Sequence, residues 1–523
     1  MKIQIGLLGQ SSTWEQIVRQ EGVPWRIVDL SAGVLSEQCS VLVVACPLTT
    51  PQVAAVEEYL RCGGGVVGYA EHLACVGGTY TRPERLEYLV SEPHESQPFD
   101  VHMLDLGCDG AVPHEANLLR TQSNSFAMFA GPLCGGVGVM LPFDVSTAVS
   151  DSRTATKHFY FMRDRLPKER VALVSKGEVR QLLHRSFEYL HHTRNLPYAH
   201  LSYFPGGDKN LFSFRIDTDG AQRTDIDSLY DVARDTQISM SWYLDVKSHE
   251  NWLHHFRHMP GQEFGIHCYE HETYPTYEAN LKNIARAQRT MEAAGIRAVG
   301  FTSPFGMWNP ELARAVDEFG FEYSSEFSYA YDTYPLYPEA GNVRFKTLQV
   351  PIHPICIGSL LKVGYTEEQM KEYYRMVIDQ KLARNEPLFF YHHPTHRCWD
   401  VVRFIFDYVQ QKGIRNTTFA DYARWWKKRL ETPLAMMFEE DLMRMRIDES
   451  SLGSEREDVW LRVSEPAGRA ASIPLRPEIN LKDVQWTETK EPCWPPTDIR
   501  RIREFDPRTL LGGLFDTMIR KLR

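Results

Sequence analysis

Phe214-Arg215-Ile216-Asp217-Thr218-Asp219-Gly220 is the stretch on which the reading of this chain turns. Apolar residues lead into two carboxylates and a glycine, the pattern of a buried strand ending in an acidic turn. Three more such ends follow: His267-Cys268-Tyr269-Glu270-His271, Thr302-Ser303-Pro304-Phe305-Gly306 and Tyr391-His392-His393-Pro394. Strand patterns at 211–217, 238–244, 263–267, 298–302, 345–351 and 387–392 alternate with helical ones such as 277–294 and 366–384. That alternation over residues 205–430 predicts a (β/α) barrel, whose chemistry belongs where strands end and loops begin. Asp217, His267, Thr302 and His393 all fall there.

His267 and His271 stand four apart, which on a helix or tight loop puts both imidazoles on one side, able to share a metal. Asp219 is the third candidate ligand, and three protein ligands leave a coordination position for water. Such a metal lowers the water's pKa toward about 7 and polarises a carbonyl. Asp217 is the candidate base and His393 the candidate acid for a departing amine. The two aspartates could exchange roles, and His392 competes with His393. Thr302, Pro304, Phe305, Trp308, Tyr391 and His392 are the candidate substrate contacts. Tyr269 and Trp399 are also near, and each aromatic serves equally well as core. His249, His254, His255 and His258 are expected on an exposed helix, not around a second metal.

On these motifs, residues 210–425 resemble the NodB-like polysaccharide deacetylases. The paired-aspartate motif is matched by Asp217 and Asp219, the His-x-x-x-His motif by His267 and His271, and the late His-Pro strand end by His393 and Pro394. The Arg-x-Pro-aromatic-Gly motif is matched in part by Thr302-Ser303-Pro304-Phe305-Gly306. The resemblance implies a distorted (β/α) barrel, a divalent metal (most often Zn²⁺), and removal of N-acetyl groups from sugars. Two departures stand out. The aspartates are separated by Thr218, and Thr302 replaces the arginine that steadies the catalytic aspartate in the family. Arg215, or a residue from elsewhere, would have to take over.

Around this barrel the chain is expected to be a multi-domain α/β protein. Residues 1–140 show strand–helix–strand order with a Gly63-Gly64-Gly65 stop, a βαβ unit. Residues 1–80 resemble the class I glutamine-amidotransferase-like (flavodoxin-like) fold. The family's Gly-x-Cys-x-Gly turn is absent; Cys75 is the nearest candidate, and a buried structural thiol is expected there, so this domain reads as non-catalytic. Residues 141–204 read as a connecting region with a helix at 175–193. Residues 431–496 read as a small antiparallel β module. Residues 497–523 form a basic amphipathic tail, with self-docking, subunit pairing and contact with an anionic membrane as its readings.

The 523 residues, 43% hydrophobic and 24% charged, have an ordinary globular composition. A net charge of −10 argues against nucleic acid as the main partner. Ten cysteines without a Cys-x-x-Cys pair fit reduced thiols. The short apolar start reads as a first strand, not a signal peptide. The expectation is a cytoplasmic enzyme, with peripheral contact at the inner membrane face through the tail. It would deacetylate an intracellular glycan or a lipid- or nucleotide-linked precursor. The rivals are hydrolysis of a non-sugar cyclic amide on the same barrel, and an inactive barrel that binds glycans or acts as a scaffold. The oligomeric state is open.

Overall fold

The computed structural model describes residues 2–91, 99, 101–159, 165–331, 333–341, 343–453 and 456–488. The Pro-rich link after Glu491 and the tail 497–523 lie outside the described residues.

The protein is multi-domain α/β. Its first sheet has nine strands. Five run parallel, in the spatial order Trp25–Ile27, Ile5–Leu8, Val41–Val44, Gly65–Tyr69 and Gly136–Leu141. That second-first-third-fourth-fifth order is a doubly wound one. The run Val41–Val44 is buried along its whole length, as a parallel strand covered on both faces must be. Phe126–Leu133 then pairs antiparallel and starts a four-stranded antiparallel extension. Helix Lys176–His192 inserts Val179, Leu182, Leu183, Phe187 and Leu190 into the core of this sheet. Part of the region read as a connector is therefore structural to the first sheet. Cys75 is exposed and donates to His72 O, so the buried thiol expected there is corrected. It sits on the outer side of a one-turn helix that follows Gly65–Tyr69.

The second sheet has six parallel strands, ordered Tyr323–Ser324, Gly300–Phe301, Glu263–Ile266, Ser241–Leu244, Phe212–Asp217 and Leu388–His392. It is curled, and residues 348–353 span the gap between its two edges. Ser324 N donates to Leu348 O (2.8 Å), Val350 N to Ser324 O (2.8 Å) and His353 N to Phe389 O (2.9 Å). The segment 345–351, expected as a strand, makes only isolated bridges through Gln349. Its residues 347–351 are all buried, while its hydrogen-bond partners change from one edge strand to the other.

Alternation along Phe212–Asp217 sorts the side chains. Phe212, Phe214 and Ile216 face outward into the helix layer, where they meet Ile226, Leu229 and Phe406. Ser213, Arg215 and Asp217 face inward and are buried. The site residues lie at the C-terminal ends of these strands.

The C-terminal strands are antiparallel. Trp460–Glu465 pairs with both Arg469–Pro474 and Tyr198–Leu201, while Met436–Glu439, Arg444–Ile447 and Glu478–Asn480 form a separate three-stranded sheet. Among the described residues no helix is long and apolar enough to cross a membrane.

Candidate metal centre

After Asp217 the strand turns sharply. Thr218 N donates to Tyr243 O (3.1 Å), and Ala221 N to Thr218 O (2.7 Å). Asp219 takes a left-handed backbone (φ 32°), a conformation that short polar side chains tolerate better than most, and Gly220 follows at φ 67°. The turn aims the Asp219 carboxylate at the histidines of the neighbouring loop. Residues 267–271 form that loop, not a helix. It is pinned by helix Tyr277–Ala293: Asn283 accepts from Glu270 N (2.7 Å) and donates to Glu270 O (2.9 Å) and Glu272 O (3.2 Å).

Asp219 Oδ1 lies 3.1 Å from His267 Nε2 and 3.2 Å from His271 Nε2, and the two Nε2 atoms are 3.2 Å apart. His267 Nδ1 donates to the Thr302 carbonyl oxygen (3.0 Å), with Thr302 Oγ1 at 2.8 Å. A carbonyl can only accept, so Nδ1 carries the proton and His267 Nε2 presents a lone pair. The lone pair of His267, a ring nitrogen of His271 and a carboxylate oxygen thus converge. A proton on His271 could satisfy one pair of these atoms, whereas a divalent cation satisfies all three. The donor set, two imidazoles and a carboxylate with an outer carbonyl orienting one ring, fits a catalytic divalent metal. Burial opposes the Asp219 charge, and His393, His267 and His271 outweigh it, holding the carboxyl well below its ordinary range.

Asp217 sits beside this group and is only 2% exposed. Arg215, two residues back on the same face of the strand, grips it with a two-pronged bond: Nε to Oδ1 and NH2 to Oδ2, both 2.6 Å. Arg215 itself is buried, donates to Ser325 O (2.7 Å), and lies between the rings of Tyr243 and Tyr391. Burial pushes the Asp217 carboxyl up; Arg215 first and then His267 outweigh it, so it stays below its usual value. Thr302 occupies the place of the missing arginine. It is fully buried and holds the His267 ring.

His393 Nε2 lies 3.4 Å from Asp219 Oδ2 on the opposite side. Burial lowers its basicity, but the Asp219 carboxylate and the Cys356 thiol carry it up to about 10. His392 is turned the other way. It continues the outward face of Phe390, its Nε2 donates to Arg397 O (3.0 Å), and burial holds it well below its ordinary value. Strand alternation therefore places His393, not His392, at the centre.

Of the six candidate substrate contacts, Phe305 alone is exposed (51%), with its ring edge-on to His271. Pro304 is buried under the same turn. Trp308 packs on Tyr329, and the Tyr391 hydroxyl donates to Pro354 O (3.0 Å). Together with Thr302 and His392 these face the core: Thr302, Pro304 and Trp308 on the loop after Gly300–Phe301, Tyr391 and His392 on the buried strand Leu388–His392. Tyr269 is likewise structural: its hydroxyl donates to Glu250 and Arg286 stacks on its ring. The histidine cluster is not uniformly exposed, since His249 is fully buried.

The sequence reading missed Asn283, Cys356 and His396. The last could have been noticed as the partner in His393-x-x-His396, a second short histidine spacing.

No family profile matches the chain, and no curated protein does. Solved structures match part of it. A Mycobacterium smegmatis protein described as a polysaccharide deacetylase aligns with 44% of this chain and 94% of its own, at 16% identity and a TM-score of 0.38. The PuuE allantoinase aligns with 44% of this chain and 94% of its own, at 17% identity and a TM-score of 0.37. A CE4 family pseudoenzyme from Bacillus anthracis aligns with 42% of this chain and 68% of its own, at 12% identity and a TM-score of 0.30. The chemistry of the site rests on this chain's own side chains.

Proposed function

We propose that this protein is a metal-dependent hydrolase that removes the acetyl group from an N-acetylated sugar. The observation that carries the reading is the meeting of three ligand atoms, from Asp219, His267 and His271, beside a carboxylate clamped by Arg215. A divalent metal held by those ligands would supply Lewis-acid polarisation of the acetyl carbonyl and a water acidic enough to surrender a proton to a weak base. Asp217 takes that proton on its carboxylate, which Arg215 keeps ionised and fixed in direction. His393, whose Nε2 faces Asp219 Oδ2 at 3.4 Å, gives its Nε2 proton to the departing nitrogen. Phe305, exposed beside His271, offers an apolar wall for the acetyl group or the sugar face.

The choice of a sugar amide follows the four-motif resemblance. The metal's identity, the intracellular glycan or lipid-linked precursor, the cytoplasmic location and the membrane contact of the tail belong to the same proposal.

The test is acetate release from a panel of N-acetyl sugars by the full chain, with bound metal measured alongside. Release by the wild type and a loss of about 10²–10⁴-fold in Asp217→Asn are expected, the usual scale for removing a general base. His267→Ala should lose metal as well. Equal release by wild type and variants would end the reading. Turnover of cyclic amides without any N-acetyl sugar would move the substrate class to the first rival.

A further inference from the structure

Behind His393 the fold gathers a second set of ligand-type groups. Cys356 Sγ and one ring nitrogen each from His393 and His396 lie within 4.8 Å of one another. The local chain explains why. His393 caps the single 3₁₀ turn Pro394–His396, and in such a turn residues three apart eclipse one another. The two rings therefore share a side, with centroids 5.1 Å apart. Cys356 is the cap of helix Ile357–Lys362 and is buried. Gly358 in that helix makes room for the His396 ring: a Cβ there would stand 2.1 Å from Cε1.

These groups are poorly satisfied where they are. Nδ1 of His393 and Nδ1 of His396 are buried without a hydrogen-bond partner, and Cys356 Sγ meets Ser359 Oγ only at 3.6 Å. A buried polar atom left unpaired destabilises the fold, so two of them beside a thiol call for a ligand. His393 Nε2 is turned to Asp219, which leaves its Nδ1 for this second group.

We propose that Cys356, His393 and His396 form a second metal site, separate from the Asp219–His267–His271 group and joined to it through the His393 ring. One thiolate and two imidazoles suit a borderline-soft divalent ion of the Zn²⁺ type and disfavour Mg²⁺ or Ca²⁺, which take oxygen ligands. With bonds of about 2.0–2.3 Å in a tetrahedral shell, the ligand atoms would stand about 3.3–3.8 Å apart. A contraction of about 1 Å reaches that geometry. Binding converts the Cys356 thiol to thiolate and releases one proton to solvent. Because a ring that holds this ion through Nδ1 cannot at the same time be the doubly protonated imidazolium, loading of the second site opposes the acid role of His393 at the first. The site itself stands without the hydrolytic reading.

The experiment uses the full-length protein, stripped of metal and reloaded with Zn²⁺ or Co²⁺. Elemental analysis after buffer exchange counts ions, and the near-ultraviolet thiolate-to-cobalt charge-transfer band reports Cys356. The wild type should hold two equivalents and show the band. Cys356→Ser and His396→Gln should each hold one equivalent less and lose or weaken the band. His271→Ala should lose the other equivalent and keep the band. A single equivalent and no band in the wild type, or a band unchanged in Cys356→Ser, overturns the proposal. If Cys356→Ser fails to fold in a thermal melt, His396→Gln, which changes a partly exposed ring, decides the question by the same two readouts.

Discussion

Arg215 settles how Asp217 is held. A fully buried guanidinium with two bonds of 2.6 Å to one carboxylate is a geometric clamp as well as a charge partner. A lysine keeps the charge and loses the fork. Arg215→Lys is therefore expected to lower kcat about 10–100-fold, the range for losing a group that orients a site residue, with bound metal unchanged. Arg215→Ala should also destabilise the fold by about 3–5 kcal/mol, since it strands a buried carboxylate. Thermal melts and metal analysis separate the two effects. Restoring the family residue by Thr302→Arg should not help. Position 302 is fully buried and its hydroxyl serves His267, so the larger side chain has no space. Loss of metal and of stability in that variant, with no gain in kcat, is the expected outcome.

Elements decide which of these side chains meet. The loop bearing His271 has no ladder of its own and depends on Asn283, whose amide satisfies three backbone groups. Asn283→Ala should cost about 1–3 kcal/mol and weaken metal binding, readable as a lower zinc occupancy at fixed free zinc. The barrel strands were legible because each runs apolar and then stops on a charged or imidazole side chain. The order of their ends was legible for the same reason. The choice between His392 and His393 was also present in the alternation of Phe389, Phe390 and Tyr391, where odd positions face inward. Segment 345–351 misled because residues 347–351 are all buried without a continuous partner strand. The burial of Tyr391 follows the alternation of its strand, but that of Trp308 could not be read, since a loop that folds back has no periodic signature. Neither could the meeting of Cys356 with His393, whose contact depends on two separate elements closing on one another.

At the scale of the molecule, the junction between the first sheet and the barrel is built of buried charge. Glu21 accepts from Arg180 (3.0 Å), His184 (2.5 Å), Tyr198 (2.8 Å) and Tyr203 (2.5 Å). Burial pushes the Glu21 carboxyl up, and His184 and Arg180 more than offset it, leaving it far below its ordinary 4.5. His200 beside it is driven down from 6.5 to about 3 by burial. Both folded-state values lie below the unfolded ones, so both groups contribute stability that is complete above about pH 6.5. That stability drains away as the pH falls, His200 first and Glu21 below about 4.5. Chemical denaturation from pH 7 to pH 3 should show a steady loss; Glu21→Gln, already weaker at pH 7, should run parallel to the wild type down to about pH 4.5 and lose less below it. An equal slope in both proteins below about pH 4.5 would show that Glu21 does not carry that part of the acid response. Arg429 completes the same junction from the last helix of the barrel, Phe419–Glu431. Its guanidinium donates to Gln20 O, Glu21 O, Leu201 O and Ser202 O, and so closes the carbonyl end of helix Ser12–Glu21. The bond to Glu21 spans 408 positions of chain. At a synthesis rate of about 5–20 residues per second, the helix made first on the ribosome waits about 20–80 s for the side chain that finishes it. The first sheet is thus the earliest part to be made and among the last to be completed.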